Sequence, residues 1–309
     1  MKFSKIKSYA KINLSLNVAK RLPSKFHKIE SLVSFINLHD LINLRPIQLN
    51  NHKVYFKGKF AKGINRENTI TKLLKILDNK KLLNNQKFEI KITKNIPHKS
   101  GMGGGSMNAA SLINYFIQKK IIKLNKNELK NLANLVGSDV ILGVNMKNTV
   151  LSSNGKLTKF KKKLGYYVLV VKPSFGCSTN LIYSKVKYFS KPKYNLPKQS
   201  LFNTKNIVNS KNDLEEIVFK IYPKLKKLKL FLIKLPNIIF ARMSGSGSSI
   251  VAYFHSKKAT NIAAKKFKRK FNNYWCIKSK LYKFFLLCYT KLILGRSQAV
   301  RHGFLVPAS

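Results

Sequence analysis

The most informative stretch of this chain is Pro97-His98-Lys99-Ser100-Gly101-Met102-Gly103-Gly104-Gly105-Ser106-Met107-Asn108-Ala109-Ala110. It follows an alternating segment over 88–94 and precedes a run in which apolar residues recur at helical spacing. The sequence therefore predicts a strand, a glycine turn and a helix. Four glycines within five residues leave no Cβ to hold a ligand away from the backbone. We predict Ser106 as the N-cap of the helix, with the first free N–H groups pointing into the loop.

A turn of this kind is suited to binding an anion, because the helix N-terminus offers unpaired N–H groups and a positive dipole end. It does not match the Walker loop, since Gly105 is followed by Ser106 and not by Lys. It also lacks the acidic residue about twenty positions on that marks a dinucleotide fingerprint. A purely structural turn is the alternative, but the density of glycine favours phosphate binding.

The charge of the chain is extreme, with 61 Lys and Arg against 10 Asp and Glu in 309 residues. A nucleic-acid partner is the first explanation to test. However, Lys, Asn, Ile, Phe and Tyr, which have A/T-rich codons, are all abundant, and the basic residues are spread along the whole chain. We therefore attribute the charge to mutational bias and expect no specific nucleic-acid partner.

Three cysteines without CxxC spacing predict neither a metal site nor a disulfide framework, and they are typical of a reducing cytoplasm. The N-terminus lacks the apolar core of a signal peptide, and no apolar run of about eighteen residues is present. We expect a cytoplasmic protein that does not bind membranes.

The first strand is predicted over 8–18, where strict alternation separates an apolar face from a polar one. Its polar face consists of Lys11, Asn13, Ser15 and Asn17, which lie either in solvent or in a site. Further strands are predicted at 26–35, 40–44 and 53–56, and helices at 68–78, 106–119 and 126–136.

The second half predicts strands at 166–171 and 275–278 and helices at 179–186, 213–222 and 259–271, with a second glycine loop at 243–247 that leads into a strand. We divide the chain into an N-terminal domain at 1–158, a C-terminal domain at 159–290 and a tail outside the fold at 291–309. Asp139 follows Gly137-Ser138, where it is either a helix cap or a catalytic residue, and the residues alone do not separate the two.

Three separated stretches together resemble the GHMP kinases, a family of small-molecule kinases. They are Tyr9-Ala10-Lys11-Ile12-Asn13-Leu14, then 97–110, then Met243-Ser244-Gly245-Ser246-Gly247. The resemblance covers about residues 8–280 and implies a two-domain α+β fold, with ATP and the substrate in the cleft between the domains. Phe26-His27 and Gly137-Ser138-Asp139-Val140 resemble the branch of the family that phosphorylates the 2-hydroxyl of a methylerythritol linked to cytidine diphosphate, in the non-mevalonate isoprenoid route.

The resemblance also assigns roles to residues. It implies Asp139 as the base for the attacking hydroxyl and Lys11 as its electrostatic partner. It implies an ATP site made of Pro97, Gly101, Met102, Gly103, Gly104, Gly105, Ser106, Asn108, Asn68 and Lys94. It implies a substrate site made of Asn13, Phe26, His27, Tyr183, Gly245 and Gly247. Mg²⁺ is expected to accompany ATP, with ligands unknown, and the enzyme is expected to be a monomer or a homodimer.

Three positions depart from the family pattern. Phe26 stands where a tyrosine is usual, the loop 22–25 lacks the usual Asp-Gly turn, and Met107 replaces a serine. None of these changes removes Lys11, Asp139 or the glycines. The alternatives are another GHMP kinase, such as a mevalonate or homoserine kinase, and a nucleic-acid-binding protein built on a kinase-derived fold.

Overall fold

A computed structural model describes residues 2–23 and 27–282 of the chain. The strands of the described part are β1 (Ser4–Arg21), β2 (His27–Ile47), β3 (Lys53–Lys57), β4 (Lys87–Thr93), β5 (Asn148–Leu151), β6 (Leu157–Phe160), β7 (Tyr167–Lys172), β8 (Ile238–Met243), β9 (Ile250–Phe254) and β10 (Trp275–Lys280). The helices are α1 (Thr69–Asn79), α2 (Gly104–Gln118), α3 (Lys126–Val136), α4 (Val140–Gly143), α5 (Thr179–Ser184), α6 (Thr204–Asn209), α7 (Leu214–Ile221), α8 (Pro223–Leu232) and α9 (Lys257–Lys270), with a 3-10 turn at Gln199–Phe202.

The strands form two sheets. The first has the order β3-β4-β2-β5-β6, with β1 also paired to β2, and all its pairs are antiparallel except β3 with β4. The second has the order β10-β7-β9-β8 and is antiparallel throughout. Two mixed layers of sheet and helix confirm the predicted α+β class.

The long antiparallel pair of β1 and β2 is the frame of the first sheet. The sequence predicts two strands at 26–35 and 40–44, and this is wrong, because β2 runs unbroken over 21 residues. Its first part pairs with β5 and its second part with β4, so each end has a different neighbour. A strand of this length can be shared by two neighbours, and hydrophobic spacing alone does not show that.

Both faces of β1 are buried. Its apolar residues enter the core, and its polar residues Lys11, Asn13, Ser15 and Asn17 are each no more than 5% exposed. A buried polar face must be hydrogen-bonded or ion-paired. Of the two alternatives for this face, the structure therefore excludes solvent.

Three of the four hydrophobic clusters in the described part of the chain hold the layers together. Helices α1, α2 and α3 pack on one face of the first sheet, and helices α7, α8 and α9 pack on the second sheet. The third cluster joins the two sheets, with Ile12 and Leu14 of β1 beside Val170 of β7 and Tyr253 of β9. The two halves of the molecule therefore share a hydrophobic core.

The predicted boundary between 158 and 159 falls inside β6, an edge strand of the first sheet. The residues around Gly155 form the turn between β5 and β6, and the chain crosses to the second sheet over 161–166. We therefore place the division between the halves after β6. The predicted tail at 291–309 and Phe26 lie outside the described residues. In residues 2–23 and 27–282, no helix is both long and apolar enough to span a bilayer.

Candidate active site

The three separated motifs of the sequence meet at one place in the structure. The Lys11 amide donates to the Met102 carbonyl at 3.2 Å, which joins β1 to the first glycine loop. The Asn13 amide donates to Ser244 Oγ at 3.2 Å, and Ser244 Oγ donates to the Gly101 carbonyl at 2.9 Å. Ser244 therefore ties the third motif to the other two.

Gly101 is required at the contact between the two loops. A Cβ at this position would lie 1.9 Å from the Ser244 carbonyl oxygen, and φ is +71°. Gly245 faces it with φ +55°, and a Cβ there would lie 3.3 Å from the Gly101 carbonyl oxygen. The backbones of the two loops are packed against each other with no room for side chains.

The predicted N-cap of α2 is wrong. The helix begins at Gly104, its N-cap is Gly103 in the left-handed conformation at φ 65°, and Ser106 is its third residue. The first intrahelical bond runs from the Met107 amide to the Gly103 carbonyl at 2.8 Å. Because Gly103 reaches positive φ without strain, it can serve as the N-cap, and the helix begins earlier than it would with a cap at Ser106. The consequence favours the predicted site, because the amides of residues 104–106 remain outside the helical ladder.

These amides border a pocket of about 230 Å³. Its wall is formed by Thr69, Lys94, Ile96, Pro97, His98, Lys99, Ser100, Gly101, Gly103, Gly104, Gly105 and Ser106. A Cβ on Gly105 would lie 3.0 Å from Thr69 Oγ1, so a side chain there would crowd the pocket wall. The pocket is lined by unpaired backbone amides, by lysines and by glycines that have no side chain. This combination suits the phosphates of a nucleotide.

Three of the predicted ATP-site residues are absent from the pocket wall. Met102 is fully buried in the core between the sheets. Asn68 caps α1, where its Oδ1 accepts from the Ile70 and Thr71 amides at 2.9 and 3.2 Å. Asn108 is 1% exposed, and its Oδ1 has no hydrogen-bond partner among the residues that the structure describes.

Lys11 and Asp139 form an ion pair beside the glycine loop. Lys11 Nζ lies 3.1 Å from Asp139 Oδ2, and it donates to Asn13 Oδ1 at 2.9 Å. The lysine is 6% exposed and the aspartate 37%, so the carboxylate is the accessible member of the pair. A Cβ on Gly103 would lie 3.6 Å from Asp139 Oδ2, which places the pair against the loop.

Asp139 precedes α4 as its N-cap residue, but its side chain makes no capping hydrogen bond. The carboxylate is turned to Lys11 instead. The Lys159 ammonium donates to the carbonyls of Val144 and Asn145, just after the end of α4. Burial, with a smaller contribution from Lys147, lowers the pKa of Lys159 to about 8. Of the two alternatives for Asp139, the structure shows no capping hydrogen bond, and the catalytic role stays a prediction.

His27 lies in an aromatic cluster with Tyr183 and Phe189. Its ring is 5.2 Å from that of Tyr183 and stacks on that of Phe189 at 6.3 Å between centroids. Burial and, second, Arg21 lower the pKa of His27, so its ring is neutral at pH 7. Burial and the charge of Asp139 raise the pKa of Tyr183. Nε2 of His27 is buried without a partner in the described residues.

The structure adds residues that sequence reasoning missed. Thr69 belongs to the pocket wall, and Asn212 Nδ2 donates to the carbonyls of Met243 and Gly245 at 2.9 and 2.8 Å, which fixes the third loop. Phe189 joins the aromatic cluster. The sequence contained one signal for Asn212, because it precedes the start of a helix. Nothing in the sequence places it beside a loop thirty residues away.

The described residues do not form a preformed magnesium site made of side chains. Within 2–23 and 27–282, no group of three or more His, Cys, Asp and Glu residues is placed to hold a metal ion. Mg²⁺ binds through one or two carboxylates together with substrate phosphates and waters, so such a site is not needed. Ser106 lines the pocket and Asp139 is accessible, so the donor set fits an ion that arrives with a nucleotide.

The family comparison covers both halves of the chain. The description "GHMP kinases N terminal domain" matches residues 68–152, and "GHMP kinases C terminal" matches residues 195–273. A 4-diphosphocytidyl-2-C-methyl-D-erythritol kinase from Pelagibacter ubique (strain HTCC1062) is 61% identical over 276 residues, which are 89% of this chain and 98% of the relative. The enzyme of that name from Petrotoga mobilis (strain DSM 10674 / SJ95) is 30% identical over 79% of this chain and 96% of its own.

Solved structures share the fold. A crystal structure of 4-(cytidine 5'-diphospho)-2C-methyl-D-erythritol kinase matches with a TM-score of 0.71 at 22% identity, over 90% of this chain and 99% of that one. A homoserine kinase from Cytophaga hutchinsonii ATCC 33406 matches with a TM-score of 0.64 at 16% identity, over 89% of this chain and 94% of its own. The chain belongs to the GHMP kinase family. It is therefore a phosphotransferase that uses ATP, as the resemblance of the three motifs predicts.

Proposed function

We propose that this enzyme transfers a phosphoryl group from ATP to the 2-hydroxyl of 4-diphosphocytidyl-2-C-methyl-D-erythritol, a step of the non-mevalonate isoprenoid route. The 61% identity to the Pelagibacter enzyme of that name, over 98% of its length, supports the substrate. The single structural observation behind the chemistry is the Lys11–Asp139 pair at 3.1 Å, beside the glycine loop. Other members of the family offer a less similar match, as the homoserine kinase shows.

The pair supplies the two functions that phosphoryl transfer to an alcohol needs. The Asp139 carboxylate accepts the proton of the attacking hydroxyl and orients its oxygen. The Lys11 ammonium, fixed by Asn13 Oδ1, stabilises negative charge that develops on the oxygens during transfer. One carboxylate suffices, because catalysis of this reaction is mostly alignment and charge stabilisation.

The glycine-loop pocket is assigned to the nucleotide. Bound ATP supplies the γ-phosphoryl group, and Mg²⁺ screens its charge. The amides of Gly104, Gly105 and Ser106 donate to phosphate oxygens, and Pro97, Gly101, Gly103 and Lys94 complete the wall. Met102 contributes through its packing, and Asn68 through capping the helix whose first residue lines the pocket. Asn108 keeps an unpartnered buried oxygen close to the loop.

The aromatic cluster is assigned to the cytidine end of the substrate. A neutral His27 offers one ring nitrogen as donor and one as acceptor, which suits the edge of cytosine. Tyr183 provides a stacking face, and Phe26, outside the described residues, is proposed as the opposite face. Asn13, Gly245 and Gly247 are proposed to border the diphosphate, since the third loop lies against β1 without side chains.

Location and assembly follow from the same proposal. We place the enzyme in the cytoplasm, where its nucleotide substrates are found, as a monomer or a homodimer. The two domains predicted at 1–158 and 159–290 are kept in the proposal, with the division moved from residue 158 to the end of β6 at Phe160.

The test is an ATP-consumption assay on the purified chain with Mg²⁺. 4-Diphosphocytidyl-2-C-methyl-D-erythritol, mevalonate and homoserine are supplied in parallel. Turnover with the cytidylated alcohol alone is the expected result. Turnover with mevalonate or homoserine would move the enzyme to another branch of the family, and no turnover from folded protein would contradict the proposal.

A further inference from the structure

Asp40 is a buried carboxylate that the proposed mechanism does not use. It lies in the interior of β2, opposite Ser8 of β1, and is 0% exposed. Aspartate is disfavoured within strands, and a buried charge is costly unless it is paired and hydrogen-bonded. We therefore expect the Asp40 carboxylate to be paired with a cation and with hydrogen-bond donors.

Both carboxylate oxygens of Asp40 have partners at the end of β4. Oδ2 is ion-paired with the Lys94 ammonium. Oδ1 accepts from the Asn95 and Ile96 amides at 2.7 and 2.9 Å. Asp40 therefore holds the side chain of Lys94 and the backbone of the two residues after it, which lead to the glycine loop at Pro97.

Lys94 belongs to the wall of the pocket although it is only 3% exposed. Its Nζ lies 3.4 Å from the point that a Cβ on Gly104 would occupy, which places the ammonium beneath the first turn of α2. An ammonium has three N–H donors. Asp40 is its hydrogen-bond acceptor within residues 2–23 and 27–282, so donor capacity remains for a ligand in the pocket.

We propose that Asp40 is a positioning residue of the nucleotide site. It fixes the Lys94 ammonium against the first turn of α2, so that the remaining N–H groups of Lys94 donate to acceptor atoms of the bound nucleotide. It also sets the direction in which the backbone enters the glycine loop. The proposal rests on the assignment of this pocket to ATP, and it adds the residue that holds the pocket's buried cation in place.

The test compares Asp40→Asn with the parent enzyme. The asparagine keeps a carbonyl oxygen for the two amides but removes the charge that holds Lys94. Because hydrogen bonds to charged groups contribute about 1.5–3 kcal/mol, the affinity for a non-hydrolysable ATP analogue with Mg²⁺ is expected to fall by about 10- to 100-fold. The KM for ATP rises accordingly, while the KM for the alcohol substrate stays unchanged.

Glu30→Gln is the matched control. Glu30 is also 0% exposed, and its carboxylate accepts from two backbone amides, those of Lys193 and Tyr194, at 2.7 and 3.0 Å. Among residues 2–23 and 27–282 it has no lysine partner of the kind that Asp40 has. The expected result is a lower melting temperature with unchanged affinity for the ATP analogue.

The double variant Asp40→Asn/Lys94→Met contains no buried charge at this place and decides the matter if a single variant does not fold. Its affinity for the ATP analogue is expected to fall below that of the parent enzyme by about 10-fold or more, since the cation of the pocket is gone. Equal loss of affinity for both substrates in Asp40→Asn, or unchanged affinity in the double variant, would overturn the proposal. Calorimetry with the ATP analogue needs no turnover, so the result stands even if the proposed alcohol substrate is wrong.

Discussion

At the scale of single residues, the environment of Asp139 explains its proposed role better than its place in the sequence does. Beside Gly137, an aspartate most often caps a helix or a turn. Here the carboxylate makes no capping bond and lies 3.1 Å from a lysine that is 100 residues or more distant in the chain. A partly exposed carboxylate with a buried cationic partner, next to a phosphate loop, has the properties that a general base for an alcohol requires.

The first prediction is that Asp139→Asn lowers kcat by about 10²- to 10⁴-fold, the usual contribution of general-base catalysis. Affinity for a non-hydrolysable ATP analogue is expected to change little, because the glycine-loop pocket is not altered. Steady-state kinetics and calorimetry measure the two effects. Asp78→Asn is the control, since Asp78 also pairs with a lysine, Lys87 at 2.9 Å, but lies outside the pocket wall. Parent-like turnover in Asp139→Asn would remove Asp139 from the mechanism.

The second prediction concerns His27. His27→Ala is expected to raise the KM for the cytidylated alcohol by about 10-fold or more, with the KM for ATP unchanged, because the loss of a hydrogen bond to a base edge affects that substrate alone. Since the pKa of His27 is lowered, the KM of the parent enzyme should be flat above pH 6.5 and rise in more acidic buffer, where protonation removes the acceptor.

His39→Ala serves as the control for that measurement. His39 also packs on an aromatic ring, that of Tyr9 at 5.2 Å, but it is not among the residues proposed for either substrate. Its removal should leave both KM values unchanged. If His27→Ala weakened both substrates equally, His27 would be a structural residue.

At the scale of elements, the two glycine loops act as one unit. The glycine loop at 101–105 contacts the glycine loop at 243–247 through Gly101, Ser244 and Gly245. In addition, the Ser249 amide donates to the Ser100 carbonyl at 3.3 Å. The conformation of each loop depends on the other. A turn that binds phosphate through its amides needs this support, because its own side chains cannot provide it.

The third prediction tests this unit with two glycines of similar φ. Gly101→Ala forces a Cβ to within 1.9 Å of the Ser244 carbonyl oxygen, so one loop must move. Displacement of catalytic groups by about 1 Å can cost about 100-fold in rate, and a loss of that order in kcat/KM for ATP is expected. Gly63→Ala, at φ +82° with nothing within 4 Å, is expected to cost only about 1–2 kcal/mol of stability and no activity. Similar activity in both variants would contradict the contact.

At the scale of the whole molecule, the net charge of +51 is the dominant electrostatic feature. The acidic residues within 4 Å of a lysine or arginine are Asp40, Asp78, Glu89, Asp139, Asp213, Glu215 and Glu216. Such pairing neutralises only a small part of the 61 basic residues. Mutual repulsion among the remaining cations opposes folding.

The fourth prediction is that added salt stabilises the protein. At 0.1 M ionic strength the screening length is about 10 Å, so repulsion between distant lysines is weakened while the buried pairs are affected little. The melting temperature should rise between 20 and 200 mM NaCl, at about 2–4 °C for each kcal/mol gained. Turnover of the alcohol should persist at the higher salt, whereas binding to nucleic-acid phosphates would fall steeply. A lower melting temperature in salt would contradict the charge argument.

The local features of the fold could be predicted from sequence because they depend on neighbours in the chain. The strand, turn and helix around 97–110, the helix Lys126–Val136 and the strand Lys87–Thr93 follow from hydrophobic spacing and glycine. Two predictions were wrong: the N-cap of α2 at Ser106, and the division of β2 into two strands. In those cases the outcome depended on the left-handed conformation of Gly103 and on two different strands pairing with one long partner.

The sequence by itself determined that this chain has a dense glycine loop between a strand and a helix, three motifs in GHMP kinase order and a shortage of carboxylates that made Asp139 a candidate. Only the tertiary structure decided that Asp139 pairs with Lys11 and makes no capping hydrogen bond, that the polar face of β1 is buried, and that Asp40 pairs with Lys94. The physical reason is that propensity and periodicity act over a few residues. The pairing of a buried charge is decided by which side chains the packed sheets bring within about 3 Å of each other.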